Sequence, residues 1–117
     1  MSSNKLPYEK YRVSGDLIFV SGQLPIDPTT GEIVSEEIKA QANQIMINIS
    51  QVLEELDLTM NQVVKTTCFL TDMNHFEAFN QVYAEHFGER FPARSAFQVV
   101  ALPKDALIEI EWVLSKA

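Results

Sequence analysis

The chain is 117 residues long, which suits one compact domain with a core of its own and leaves no room for a second. Against 16 acidic residues stand 9 basic ones, scattered along the chain with no basic run, and the net charge of −7 argues against a phosphate-tracking nucleic-acid surface. At 46% hydrophobic and 21% charged, with no run near the roughly 18 apolar residues of a membrane span, the composition excludes disorder and bilayer crossing.

Cys68 is the sole cysteine, so no disulfide can form within the chain, and Met1-Ser2-Ser3-Asn4-Lys5 has no apolar leader; the expected compartment is the cytoplasm. Cys68, His75 and His86 do not make a zinc pattern, and no metal is expected.

In chain order, Leu17-Ile-Phe-Val-Ser21 is short, apolar and rich in strand formers. Ser14-Gly15-Asp16 before it marks a turn, so a hairpin is predicted. Pro25, Asp27-Pro28 and Thr30-Gly31 then punctuate a reversing loop. From about Glu36 to Asp57, Ile38, Ala42, Ile45, Ile49, Val52, Leu53 and Leu56 recur at three- and four-residue steps, the stripe of an amphipathic helix. Ser35 is its expected N-cap, Glu36 and Glu37 suit the positive end of its dipole, and Glu54, Glu55 and Asp57 crowd the wrong end, where fraying is expected.

Val63 to Leu70 reads as a strand with Val64, Thr66, Cys68 and Leu70 on one face. A second helix is predicted from about His75 to Phe87, with a capping box from Asn74 to Glu77, an apolar side of Phe76, Phe79, Val82 and Tyr83, and a stop at Gly88. Two last strands, about Arg94 to Val100 and Leu107 to Leu114, flank Pro103-Lys104-Asp105 and are expected to pair as a hairpin. The order is β-β-α-β-α-β-β, an α+β fold with two helices on one face of a largely antiparallel sheet. On the last strand Ile108, Ile110, Trp112 and Leu114 share one side, and Glu109, Glu111 and Val113 the other. An uncovered face of such mixed character points to self-association.

Arg94, set among Pro92-Ala93 and Ser95-Ala96-Phe97, carries a charge that cannot be discharged and a planar fork that fits a carboxylate. It reads either as an anchor for a substrate carboxylate or as half of a structural ion pair. Glu109 and Glu111 project to one face, where like charges raise each other's pKa and can tune a proton carrier; the alternative is a pair of solvated charges on an exposed strand. Ser21 lacks the setting of a hydrolase nucleophile, and no phosphate-binding glycine loop is present.

Several segments in order then carry a resemblance: Ser21-Gly22-Gln23-Leu24-Pro25-Ile26-Asp27-Pro28, Thr30-Gly31-Glu32, Val64-Lys65-Thr66-Thr67, Phe91-Pro92-Ala93-Arg94-Ser95, and Leu102-Pro103-Lys104-Asp105 with Ile108-Glu109-Ile110. Together they resemble the RidA/YjgF family of reactive-intermediate deaminases, and the likeness runs from Pro7-Tyr8 to the last strand. It implies a single RidA-like domain over residues 1–117 with a chorismate-mutase-like fold, assembled as a homotrimer with sites between subunits. It implies hydrolysis of enamines and imines such as 2-aminoacrylate to a 2-keto acid and ammonia, without metal or cofactor and without nucleic-acid or membrane partners.

By the same resemblance, Arg94 binds the substrate carboxylate and Glu109 activates water. Tyr8, Ser21, Gly22 and Asn80 line the pocket, and Ala96 stands where many members have a cysteine that contacts ligand through its backbone. The chain departs from the family at Leu6, at Glu9-Lys10, where a small residue and Gln are usual, and at Val100. A non-catalytic trimer that binds a small carboxylate is the competing expectation, and a translation-inhibiting ribonuclease fits poorly with the charge.

Overall fold

The computed structural model describes residues 6–117. Strands β1 (Tyr11–Ser14) and β2 (Leu17–Gln23) form the expected hairpin, and Gly15 supplies the left-handed φ of 61° that its tight turn requires. The following loop contains its own small ladder, β3 (Ile26–Asp27) against β4 (Glu32–Ile33). Between them Asp27 accepts from both the amide and the hydroxyl of Thr29, at 2.9 and 2.6 Å. These bonds hold the Asp27 carboxyl below the usual carboxylate range.

Helix α1 (Ile38–Glu55) buries Ala42, Ile45, Ile49, Val52 and Leu53 as the periodicity requires, and adds Gln41 and Met46. Its start lies two residues later than the acidic pair suggests. Ser35 does not cap it; the hydroxyl accepts from the Glu37 amide at 3.1 Å, and the first turn holds no acid. The far end does not fray open. Asp57 adopts a left-handed φ of 59°, the Asp57 amide donates to Glu54 and the Leu58 amide to Leu53 at 2.9 Å, so the last carbonyls are closed by a Schellman motif.

Strand β5 (Val63–Leu70) buries Thr66, Cys68 and Leu70 as expected. Val64 is the correction: a bulge between Val63 and Lys65 puts Val63 inward and leaves Val64 exposed. The Asn74–Glu77 capping box also does not form. Asp72 accepts from the Asn74 amide at 2.9 Å and starts a 3₁₀ turn, Met73–His75, from which α2 (Phe76–Glu85) continues.

The last strands, β6 (Ala93–Gln98) and β7 (Ile108–Ser115), do not pair with each other. The sheet order is β1-β2-β7-β5-β6, with β6 parallel to β5 and every other pairing antiparallel. The reason is the helix between β5 and β6, since a crossover of that length returns the chain in the parallel direction. Pro103–Asp105 is therefore a crossing turn in which Lys104 and Asp105 hold left-handed φ values of 58° and 56°.

Both helices lie on one face. There Ile18, Val20, Cys68, Leu70, Ile108, Ile110, Trp112 and Leu114 meet Ile45, Ile49, Val52, Phe79 and Val82 in one core. Trp112, 1% exposed, stands at its centre on the middle strand. The opposite face has no layer over it. Leu17, Phe19, Phe97, Glu109, Glu111 and Val113 face outward, with Phe19 and Phe97 each nearly half exposed. No helix of the described residues is long and apolar enough to cross a membrane.

Candidate active site

The residues singled out by sequence gather in two places. The first is built on β6 and α2. Strand alternation and the pairing of Arg94 with Thr66 and of Ala96 with Cys68 turn Arg94 to the helix side of the sheet, at its edge. There its Nη1 donates to Asn80 Oδ1 at 2.7 Å. Its guanidinium carbon lies 4.8 Å from the centre of the Tyr83 ring, 5.2 Å from Phe76 and 5.7 Å from Phe79. Aromatic faces attract a guanidinium and accept its flat surface without neutralising it.

Among the described residues the one ion pair is Lys10–Glu55, so Arg94 has no carboxylate partner within the chain. The structural ion pair that the sequence left open is not formed. Beside Arg94 a cleft of about 330 Å³ is lined by Asn80, Tyr83, Ala84, Phe91 and Pro92. Behind it the rings of Phe79, Tyr83, Phe87 and Phe91 stack stepwise, at centroid separations of 5.3, 4.8 and 5.8 Å.

A phenol and a thiol lie near Arg94. Tyr83 shares a hydrogen bond of 2.7 Å with buried Thr66, and burial pushes its phenol up to about 12. Burial likewise pushes the Cys68 thiol up to about 11 against a smaller opposing pull from Arg94. Both stay protonated at neutral pH, so Cys68 is a core residue, as its strand position predicts, and not a nucleophile.

The second place is the end of β2 where it meets β7. Gln23 pairs with Ile110 after a bulge that follows Val20. A side chain on Gly22 would collide with the Glu109 carboxylate, with Glu109 Cδ only 3.0 Å from where its Cβ would stand. Glycine is needed here for close approach. Burial raises the Glu109 pKa above the ordinary value, and neighbouring Glu111 raises it further. Glu109 is therefore a stronger base than a solvated carboxylate.

Ser21 is engaged with the incoming chain: its hydroxyl donates to the Glu9 carbonyl at 2.6 Å and its amide to the Lys10 carbonyl at 3.0 Å. Tyr8, 59% exposed, shares a cleft with Gly22, Lys10, Asn48 and Glu55.

Arg94, Asn80 and Ala96 thus form one group, and Tyr8, Ser21, Gly22 and Glu109 another. The groups do not meet in one chain. Arg94 points to the helix side and Glu109 to the open side, and β6 and β7 are separated by β5, about 10 Å across the sheet. Sequence reasoning missed the aromatic setting of Arg94. Its signal was present, since Phe76, Phe79 and Tyr83 lie on the apolar side of α2 with Asn80 among them. It also missed the anchoring of residues 9 and 10 to Ser21. Among the described residues no group of acids, histidines and cysteine could hold a metal ion.

A protein-family model described as Endoribonuclease L-PSP matches residues 3–115 of the chain. A RutC family protein of Pyrococcus horikoshii is 50% identical over 110 residues, which is 94% of this chain and 87% of the relative. Human 2-iminobutanoate/2-iminopropanoate deaminase is 40% identical over 107 residues, 92% of this chain and 78% of the human protein. The crystal structure of RidA from an Antarctic Psychrobacter superposes with a TM-score of 0.89 at 40% identity, covering 93% of this chain and 88% of that one.

Proposed function

The chain belongs to the Endoribonuclease L-PSP family, also called RidA/YjgF, and from that premise we propose that it hydrolyses 2-imino acids and their enamine tautomers, of the 2-aminoacrylate type, to 2-keto acids and ammonia. The observation that carries the reading is the Arg94 guanidinium: held by an amide and three aromatic rings, left without a carboxylate of its own, and opening on a cleft. A planar carboxylate next to an electrophilic carbon is the ligand such a fork fits.

In this reading Arg94 fixes the substrate carboxylate and so turns a bimolecular encounter into a positioned one. The Glu109 carboxylate takes a proton from water as the oxygen adds to the C=N carbon, giving a tetrahedral carbinolamine. It returns that proton to the nitrogen, then takes the carbinolamine's hydroxyl proton and passes it to the amine as the C=O bond forms and the C–N bond breaks, releasing the keto acid and ammonia. The raised pKa of Glu109 suits both transfers.

Because the two groups lie on opposite faces, the proposed site is completed by a second copy, with Arg94, Asn80 and Ala96 from one subunit and Tyr8, Ser21, Gly22 and Glu109 from its neighbour. Three copies around an axis would also cover the apolar part of the open face, Leu17, Phe19 and Phe97. Net charge −7 argues against RNA as the substrate, and half-buried Arg94 supplies a local cation for one small carboxylate.

The test generates 2-aminoacrylate in situ with a serine dehydratase and follows decay of the imine. Acceleration by the wild type and its loss, by roughly 10²-fold or more, in Arg94→Ala supports the reading. Equal decay with wild type, with Arg94→Ala and with no protein overturns it and leaves a carboxylate-binding protein without catalysis.

A further inference from the structure

We propose that Lys10 and Glu55 are positioning residues: their ion pair clamps residues 8–10 against α1 and so fixes Tyr8 at the mouth of the site. The inference rests on the deaminase reading for its purpose, and on geometry for its existence.

Residues 8–10 approach the sheet outside the β1–β2 ladder, and each of their side chains is exposed. A segment of this kind frays unless it is tied down. Three bonds tie this one. Two come from Ser21 on β2, whose hydroxyl takes the Glu9 carbonyl and whose amide takes the Lys10 carbonyl. The third comes from the opposite direction, Lys10 Nζ to Glu55 Oε1 at 2.7 Å, from the last turn of α1.

The Ser21 bonds hold the backbone beside the strand but leave it free to hinge about that edge. The bond to α1 removes the hinge, because it fixes Lys10 across the cleft that Tyr8 and Gly22 share. Gly22 in turn lies against Glu109. The clamp thus ties the Tyr8 wall to α1, beside the glycine that the Glu109 carboxylate lies against. Both partners of the pair are about half exposed, 53% and 50%, so its contribution is small and salt-sensitive, the behaviour of an adjustable fastening rather than a structural rivet.

Two readouts test this on the intact protein. The first is hydrogen exchange of the Ser21 amide by NMR, which reports the strap whether or not the protein is an enzyme. Lys10→Met is expected to speed that exchange roughly two- to fivefold, and raising sodium chloride to about 1 M is expected to do the same in wild type but not in the variant. The second is the affinity for 2-oxobutanoate, a stable keto-acid product. Lys10→Met is expected to weaken it by roughly the same factor with Arg94 untouched. Lys10→Glu weakens it further by setting two carboxylates together, and the reversed pair Lys10→Glu with Glu55→Lys restores both exchange and affinity. In a Tyr8→Ala background Lys10→Met has no further effect on affinity, since the wall it positions is gone.

Unchanged Ser21 exchange in Lys10→Met, or a reversed pair that fails to restore it, overturns the clamp while leaving the deaminase reading in place. Failure of every form to bind 2-oxobutanoate overturns the deaminase reading and the clamp's role in it.

Discussion

The arginine end and the glutamate end of this molecule are built on opposite principles. Arg94 is held by side chains of its own subunit: an amide at 2.7 Å and three rings within 5.7 Å, on a helix packed into the core. Glu109 is held by absence. A glycine makes room for its carboxylate, and around it the sheet face is open. The difference teaches that one chain finishes only the cationic half of the proposed site. In the proposed reading, the substrate anchor is preorganised within one chain, whereas proton transfer would require a second copy over the open face.

The sharpest way to break this comparison is to separate the two ends genetically. Glu109→Gln and Arg94→Ala subunits are each expected to lose activity by about 10²- to 10⁴-fold. Mixed and reassembled, they should recover about a quarter of wild-type activity, because a site drawing Arg94 and Glu109 from different copies is sometimes rebuilt whole. Recovery of nothing would place both residues in one chain's site. Glu109→Gln also serves as its own folding control. The native state holds the Glu109 proton to higher pH than the unfolded chain, so ionisation costs stability as pH rises through the carboxylate range. The amide variant should melt no lower than wild type at neutral pH, and the two should converge in acid.

A smaller effect is expected from Gly22→Ala. The new methyl meets the tip of a flexible side chain, so the fold gives way easily, but the Glu109 carboxylate must move. Thermal melting should change little while deamination falls by roughly 10- to 100-fold, the scale of a misplaced catalytic group. Arg94-dependent binding of 2-oxobutanoate should survive.

The smallest effect is a displacement along the pH axis. With Glu109 as the base, the rate rises as its carboxyl ionises, at a higher pH than an ordinary glutamate. Glu111→Gln removes the lesser of the two causes of that shift, so the acid limb of kcat/KM should move to lower pH while the plateau stays. A limb that stays in place would remove Glu109 from the titration.

Periodicity made much of this fold legible. The alternation of β7 appears in the structure residue for residue, and so does the stripe of α1 from Ala42 to Leu53, with Ile38 and Leu56 only half-buried at its ends and Gln41 and Met46 added, because burial on one face is a local property of the sequence. What could not be read locally was where strands go. The pairing of β6 with β5 and the insertion of β7 between β2 and β5 depend on contacts far apart in the chain. Val64 was misassigned for a related reason, since one extra residue in a bulge reverses every face assignment before it.

The cap assignments at Ser35 and Asn74 failed by competition. Ser35 spends its hydroxyl on the Glu37 amide in a turn before the helix begins, and the Asp72 carboxylate takes the Asn74 amide. At the site, Arg94 and Glu109 stood out by residue type and setting. That they face apart was open to reading in principle, because it follows from strand parity once the sheet order is known.

Trp112 has a use apart from the chemistry. As the only tryptophan, buried on the central strand, it makes tryptophan emission, excited apart from the three tyrosines, an optical record of the core alone. Ligand arriving at the open face or the sheet edge should leave that signal quiet, and loss of the packed helices should change it. The molecule therefore carries a built-in means of telling an unfolded variant from a folded one that has merely lost its activity.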